Sequence, residues 1–151
     1  ESGPGIKEER SSLGLAVGDL YNDGDLDMVV DNIDSTPSSL RNDGGNRNHW
    51  LSVGLRGTRS NRMGLGARIT ARAGDLVQIA EATTAGSIFS ASDSRVHFGL
   101  GSATEVDLEI RWPSGKVQKL EAVPANRFIE VDEDRGIVTP ATGAAPREEG
   151  T

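Results

Sequence analysis

Val106-Asp107-Leu108-Glu109-Ile110-Arg111-Trp112, followed by the turn Pro113-Ser114-Gly115 and the return Val117-Gln118-Lys119-Leu120, decides the fold class of this chain. Apolar and charged residues alternate strictly, the period of a strand with one buried face. A Pro-Ser-Gly turn between two such runs reads as a hairpin. Toward the C-terminus, 128–131 is another short apolar run. Toward the N-terminus, 95–99, 76–82, 67–73 and 50–55 read as strands, with Ala73-Gly74-Asp75 as a hairpin turn. About seven strands thus lie in 47–132 at the spacing expected of a sandwich or barrel. No segment keeps a helical period. The 19 glycines suit short strands joined by tight turns.

Ahead of residue 47 the character differs. Residues 13–17 and 26–30 read as strands, and 39–41 as a third short one before Asn42-Asp43-Gly44-Gly45. Residues 11–46 carry seven acids (Asp19, Asp23, Asp25, Asp27, Asp31, Asp34, Asp43) against one base, Arg41, a net of −6. Residues 47–132 carry nine acids and eleven bases, a net of +2, while the whole chain stands at −7 with a pI near 4.8. The negative charge is therefore concentrated in one short segment, at a cost in self-repulsion that a bound cation would offset. The overall balance argues against nucleic acid as partner. No apolar stretch is long enough for a membrane-spanning helix. The absence of cysteine excludes disulfides and thiolate chemistry.

The densest part of the acidic segment is Asp19-Leu20-Tyr21-Asn22-Asp23-Gly24-Asp25-Leu26-Asp27. Hard cations take six to eight oxygen ligands, and alternating carboxylates in a loop that folds back supply them. Asp19, Asp23 and Asp27 fall at loop positions 1, 5 and 9, Gly24 at the sharp turn, and Asp25 where a backbone carbonyl is expected to point inward. Leu20 and Leu26 are placed to anchor the loop to a core. Tyr21 departs from the pattern at position 3, since a phenol is a poor Ca²⁺ ligand. Either water or Asn22 fills that place, or the site is weakened. The expected metal set is Asp19, Asn22, Asp23, Asp25 and Asp27, and the expected ion is Ca²⁺.

Residues 17–30 resemble the calcium loop of FG-GAP or VCBS repeats, the blades of integrin-type β-propellers. The longer stretch from residue 48 onward resembles the ASPIC/UnbV domain, in Asn48-His49-Trp50-Leu51, Ser60-Asn61-Arg62 with Gly66-Ala67-Arg68, His97-Phe98-Gly99-Leu100-Gly101 and Arg111-Trp112-Pro113-Ser114-Gly115. Met63 stands where the resemblance leads one to expect a polar residue. The resemblance implies a secreted, extracellular or periplasmic protein with adhesive, structural or assembly duties and no catalytic reaction. The fold expected is all-β: a partial propeller-blade-like segment over 13–46, then an antiparallel sandwich or barrel-like domain over 47–133. Residues 1–12 read as a flexible lead-in and 134–151 as a flexible tail. The start of the chain, with neither an initiator Met nor an apolar leader, reads as that of a processed chain or an excised segment.

Two strands and part of a third do not make a blade, so 13–46 must pack on the following domain or on another subunit. Exposed strand edges there would invite pairing between chains. The partner expected is thus a protein, either a second copy or another extracellular protein. A glycan is the alternative, with Trp50 and Trp112 as a stacking platform. A hydrolase is third: Ser87, Ser90, Ser92 and Ser94 lack a nucleophile elbow, and His49 and His97 are better read as packed structural residues than as a dyad. Arg56, Arg59, Arg62, Arg68 and Arg72 form a basic stretch that could meet the acidic segment of the same or the next chain.

Overall fold

A computed structural model describes residues 10–138. Most of the expected lead-in and tail, 1–9 and 139–151, lies outside the described residues.

The chain is all-β. Three strands open it: β1 (Ser12–Gly18), β2 (Asp27–Asn32) and β3 (Ser38–Leu40). A 3-10 turn at Gly45–Arg47 leads into β4 (His49–Arg56). Next come β5 (Arg68–Ala73), β6 (Leu76–Glu81), β7 (Val96–Gly101), β8 (Glu105–Arg111), β9 (Val117–Pro124), β10 (Arg127–Asp132) and β11 (Gly136–Val138). The seven strands β4 to β10 occupy the region where seven were expected. Gly136, where the tail was expected to be irregular, instead opens β11, which returns antiparallel along β10.

Three sheets result, ordered β1-β2-β3, β11-β10-β4-β7 and β6-β5-β8-β9. Among the described residues all pairings are antiparallel except β10 with β4, which runs parallel from Arg127 opposite Leu51 to Asp132 opposite Arg56. Neither four-stranded sheet closes into a barrel. The two stack as a sandwich whose core takes Leu51, Val53, Phe98 and Val131 from one sheet and Ile69, Ala71, Leu108 and Ile110 from the other. The alternation that announced β8 is realised, with Val106, Leu108 and Ile110 buried while Glu105, Asp107 and Arg111 face water. With so few aromatics, branched aliphatic residues fill the space between the sheets, and each fully buried one contributes about 1.5–3 kcal/mol.

The first sheet adds no residue to that core. Its β1 and β2 side chains at 15–17 and 28–30 are only half-buried. What holds it is the irregular stretch between β6 and β7, which runs beside β1. The Ser90 hydroxyl donates to the Leu15 carbonyl at 2.6 Å. The Val17 amide donates to Ser92 Oγ at 3.2 Å, and the Asp93 amide donates to the Val17 carbonyl at 2.9 Å. The acidic segment therefore packs on the sandwich of its own chain, and these bonds occupy part of the outer edge of β1 that would otherwise be open to strand addition.

Candidate metal centre and its seat on the sandwich

The Asp loop joins β1 to β2, and its neck is closed by the pairing of Gly18 with Asp27. Inside the loop the carboxylates bind backbone amides. Asp19 accepts from the Asp23 amide at 3.1 Å and from the Gly24 amide at 2.9 Å. Asp23 Oδ1 accepts from the Asp25 amide at 3.1 Å. Asp27 accepts from Leu20 at 3.2 Å and from Asn42, beyond β3, at 2.9 Å. Short Asp side chains bonding to amides a few residues away fix such turns. Asp19, Asp25 and Asp27 are buried, while Asp23 keeps partial access to water.

Asp25 is placed differently from the sequence expectation, which gave it a role through its carbonyl. Its side chain is 2% exposed, and Oδ1 has no hydrogen-bond donor among the described residues. A buried carboxylate oxygen without a donor costs several kcal/mol unless a cation or a hydrogen-bond donor meets it. Gly45 lies beside it: a Cβ there would come within 2.9 Å of Oδ1. The donor chemistry of the loop, four carboxylates and the Asn22 amide oxygen, is that of a hard cation. Among the described residues, however, no three His, Asp or Glu side chains are gathered in metal-holding geometry. The carboxylates that would converge are turned to backbone amides of the loop and, for Asp27, of Asn42.

Asn22, the remaining member of the expected set, and the other loop side chains face elsewhere. Asn22 accepts from Arg95 Nη1 at 2.9 Å. Tyr21 points outward, half-exposed beneath the Arg41 guanidinium, which sits 4.4 Å from its ring centre. Arg41 also lies 3.6 Å from Asp23 Oδ2. Leu20 and Leu26, expected to anchor the loop, are exposed.

Gly24 supplies the anchor instead. Its φ is +93°, and a Cβ built on it would stand 2.1 Å from Trp50 Cε2, so the loop backbone lies directly on the indole. Trp50 in turn stacks on His97, with ring centres 5.8 Å apart, and meets Phe128 edge-on at 5.0 Å. Burial lowers the His97 pKa; the negative charges of Asp19 and Asp25 pull it back in part, and Arg95 adds to the lowering. His97 Nδ1 is a second buried atom without a hydrogen-bond partner among the described residues.

Arg95 locks the seat from the side. It donates to the Asp19 carbonyl at 3.1 Å and to Asn22, and it binds Asp93 through Nε at 2.8 Å. Its guanidinium lies 4.9 Å from the Phe128 ring centre. At Asp93 burial opposes ionisation, yet the hydrogen bonds and charge of Arg95 prevail and lower the carboxyl pKa. Nothing in the sequence around Asp93-Ser94-Arg95 marks it as part of a site more than seventy residues earlier in the chain.

The other candidates separate in space. Trp50 and Trp112 are 8% and 3% exposed, so neither offers a face to a sugar. His49 meets Asn126 through Nδ1, apart from His97. The five arginines do not form one patch: Arg56 lies near Glu130 and Asp132, Arg59 near Asp134, and Arg68 and Arg72 stand on β5 in the other sheet.

Residues 57–138 match the family described as ASPIC and UnbV. The Asp loop lies outside that match. Over 145 residues the chain is 28% identical to mouse cartilage acidic protein 1, a similarity covering 88% of this chain and 22% of that protein. The chain thus spans about a fifth of the length of this relative.

Proposed function

The chain belongs to the ASPIC and UnbV family, and from that premise we propose that it is a non-catalytic extracellular module for structural assembly or protein binding, stabilised by Ca²⁺ in the Asp19–Asp27 loop. The observation that carries the metal is Asp25 Oδ1, buried without a donor in a loop whose side-chain donors are carboxylates. Asp19, Asp23, Asp25 and Asp27 would hold the ion, with Asn22 available if it exchanges Arg95 for the metal. The loop resembles the FG-GAP and VCBS repeats on these residues alone. The extracellular placement is supported by a relative named for cartilage and for its acidity, matching the −7 charge of this chain.

In this reading Ca²⁺ supplies positive charge and nothing else. It neutralises the acidic segment and fixes the turn that lies on Trp50, so that binding energy appears as folding energy. The test is thermal unfolding with Ca²⁺ and with excess chelator, on wild type and Asp23→Ala. An ion at a hundredfold excess over its Kd adds about 2.7 kcal/mol, or about 5–10 °C in Tm for a chain of this size. That rise is expected in wild type and not in Asp23→Ala. Equal Tm values in Ca²⁺ and chelator would remove the metal from the account.

A further inference from the structure

The stretch that fastens the first sheet also presents an apolar knob. Phe89 is 87% exposed and Ile88 56% exposed. Phe89 holds φ at +51°, a left-handed conformation that bulky side chains rarely adopt. Bonds on one side pin the tip in place, the Ser90 hydroxyl reaching both Leu15 and Ser87 carbonyls. Backbone strain that presents an aromatic ring to water points to function rather than stability. Asp31 adjoins the knob, since both its Cβ and the Ile88 carbonyl oxygen lie within 3.6 Å of the Cβ position at Gly14. Asp31 is exposed and makes no side-chain ion pair or hydrogen bond among the described residues.

A complementary surface lies on the same chain. Leu55, Arg56, Arg62, Met63, Ser94 and Glu130 line an open cleft of about 370 Å³, room for an aromatic side chain. Met63 is 46% exposed. Arg62 makes no side-chain ion pair or hydrogen bond among the described residues. In a lining that is otherwise mostly polar, the Arg62 guanidinium beside Met63 suits the face of an aromatic ring and a nearby carboxylate together. Ser94 is five residues from Phe89, so cleft and knob lie within about 18 Å of each other along one segment.

We propose that this chain pairs with a second copy of itself by mutual insertion, the Ile88–Phe89 knob of each copy entering the Arg56–Arg62–Met63 cleft of the other, with Asp31 facing Arg62. Knob and cleft share the segment from Phe89 to Ser94, and in the proposed pair a two-fold axis makes both contacts at once and closes the assembly at a dimer. The contact is small, so pairing is weak and concentration-dependent. The inference rests on the assembly part of the function proposed above and does not require the metal.

Sedimentation velocity from micromolar to near-millimolar protein tests it, on wild type, Phe89→Ser, Arg62→Glu and an equimolar mixture of the two variants. Wild type is expected to pass from monomer to dimer. Either variant alone loses both contacts and should associate at least about tenfold more weakly. The mixture retains one intact knob and one intact cleft per pair, and should recover a heterodimer of intermediate affinity. Unchanged Tm in both variants would show that the loss is at the surface and not in folding. A Phe89→Ser variant that dimerises like wild type, or a mixture that stays monomeric, overturns the mutual insertion alone. Wild type that stays monomeric throughout overturns both the insertion and the assembly reading, while leaving the calcium response to be judged by unfolding.

Discussion

Glu133→Ala is expected to lower stability by about 3–5 kcal/mol, the cost of removing a buried carboxylate that accepts from three amides and two hydroxyls at once. Glu133 follows β10 directly, and its amide extends the β10–β4 register by donating to the Arg56 carbonyl at 2.9 Å. Its side chain is wholly buried. One carboxylate oxygen accepts from three successive amides, Thr58 at 2.8 Å, Arg59 at 2.8 Å and Ser60 at 2.9 Å. The other accepts from the hydroxyls of Ser60 and Ser114. Three consecutive N–H groups curled round one anion make a backbone nest, here filled by the chain's own carboxylate. Truncation leaves all three amides without the acceptor that holds them, and the loop that joins β4 to β5 loses its centre.

The same residue sets an acid limb. Burial opposes ionisation of Glu133, but the hydrogen bonds from Ser114, Ser60, Thr58 and Arg59 outweigh it and hold the carboxyl far below the usual range. A folded-state pKa below the unfolded one contributes stability that is complete above the unfolded value, about 4.3 for Glu, and is lost as pH falls through the folded value. Asp93, Asp132 and Asp134 are lowered as well and add to this slope. Denaturant unfolding as a function of pH should therefore show wild-type stability falling below about pH 4. Glu133→Gln, weaker at neutral pH, should fall with a shallower slope by the proton it no longer takes up. Parallel slopes in the two proteins would show that the nest does not hold an ionised carboxylate.

Gly24→Ala is expected to cost about 3 kcal/mol or more, combining a left-handed backbone with overpacking against Trp50. The added methyl would stand 2.1 Å from an indole carbon that is itself wedged between His97 and Phe128, so the loop must lift away. Gly74→Ala is the control. That residue has φ +59° but nothing within 4 Å of the Cβ position, and its substitution should cost only about 1 kcal/mol. Urea unfolding measures the difference, and the emission of Trp50 should shift to the red in Gly24→Ala alone. Equal costs at the two glycines would mean that the loop does not rest on the indole.

The sheet architecture is largely legible in the sequence because it is written in local alternation. Residues 106–112 announce β8, and Pro113-Ser114-Gly115 announces the turn into β9. The parallel pairing of β10 with β4 is not legible, because nothing local in the alternating stretch 50–55 or in the short run 128–131 states the direction of its neighbour. The Asp loop is legible as a turn rich in oxygen donors. Its anchoring is not, since the pattern points to the flanking leucines as the contact when a glycine against Trp50 makes it. A glycine explains a turn so readily that a second reason for it leaves no mark in the sequence. Arg95 and Glu133 each act across more than seventy residues, and the pattern around neither shows the loop it holds. In the sequence the serines between β6 and β7 read only as candidate nucleophiles, yet Ser90 and Ser92 carry the hydroxyls that fasten β1.

Calorimetric titration of chelator-treated protein with Ca²⁺ tests most directly whether an ion sits at the buried oxygen of Asp25, with Asp25→Asn as the partner experiment. A saturable heat for a single ion per chain is expected in wild type, and none in Asp25→Asn. With no buried carboxylate oxygen lacking a donor, Asp25→Asn should also be more stable than wild type in chelator and less stable in Ca²⁺. Binding of equal affinity in both proteins, or no binding in wild type, would contradict an ion at Asp25.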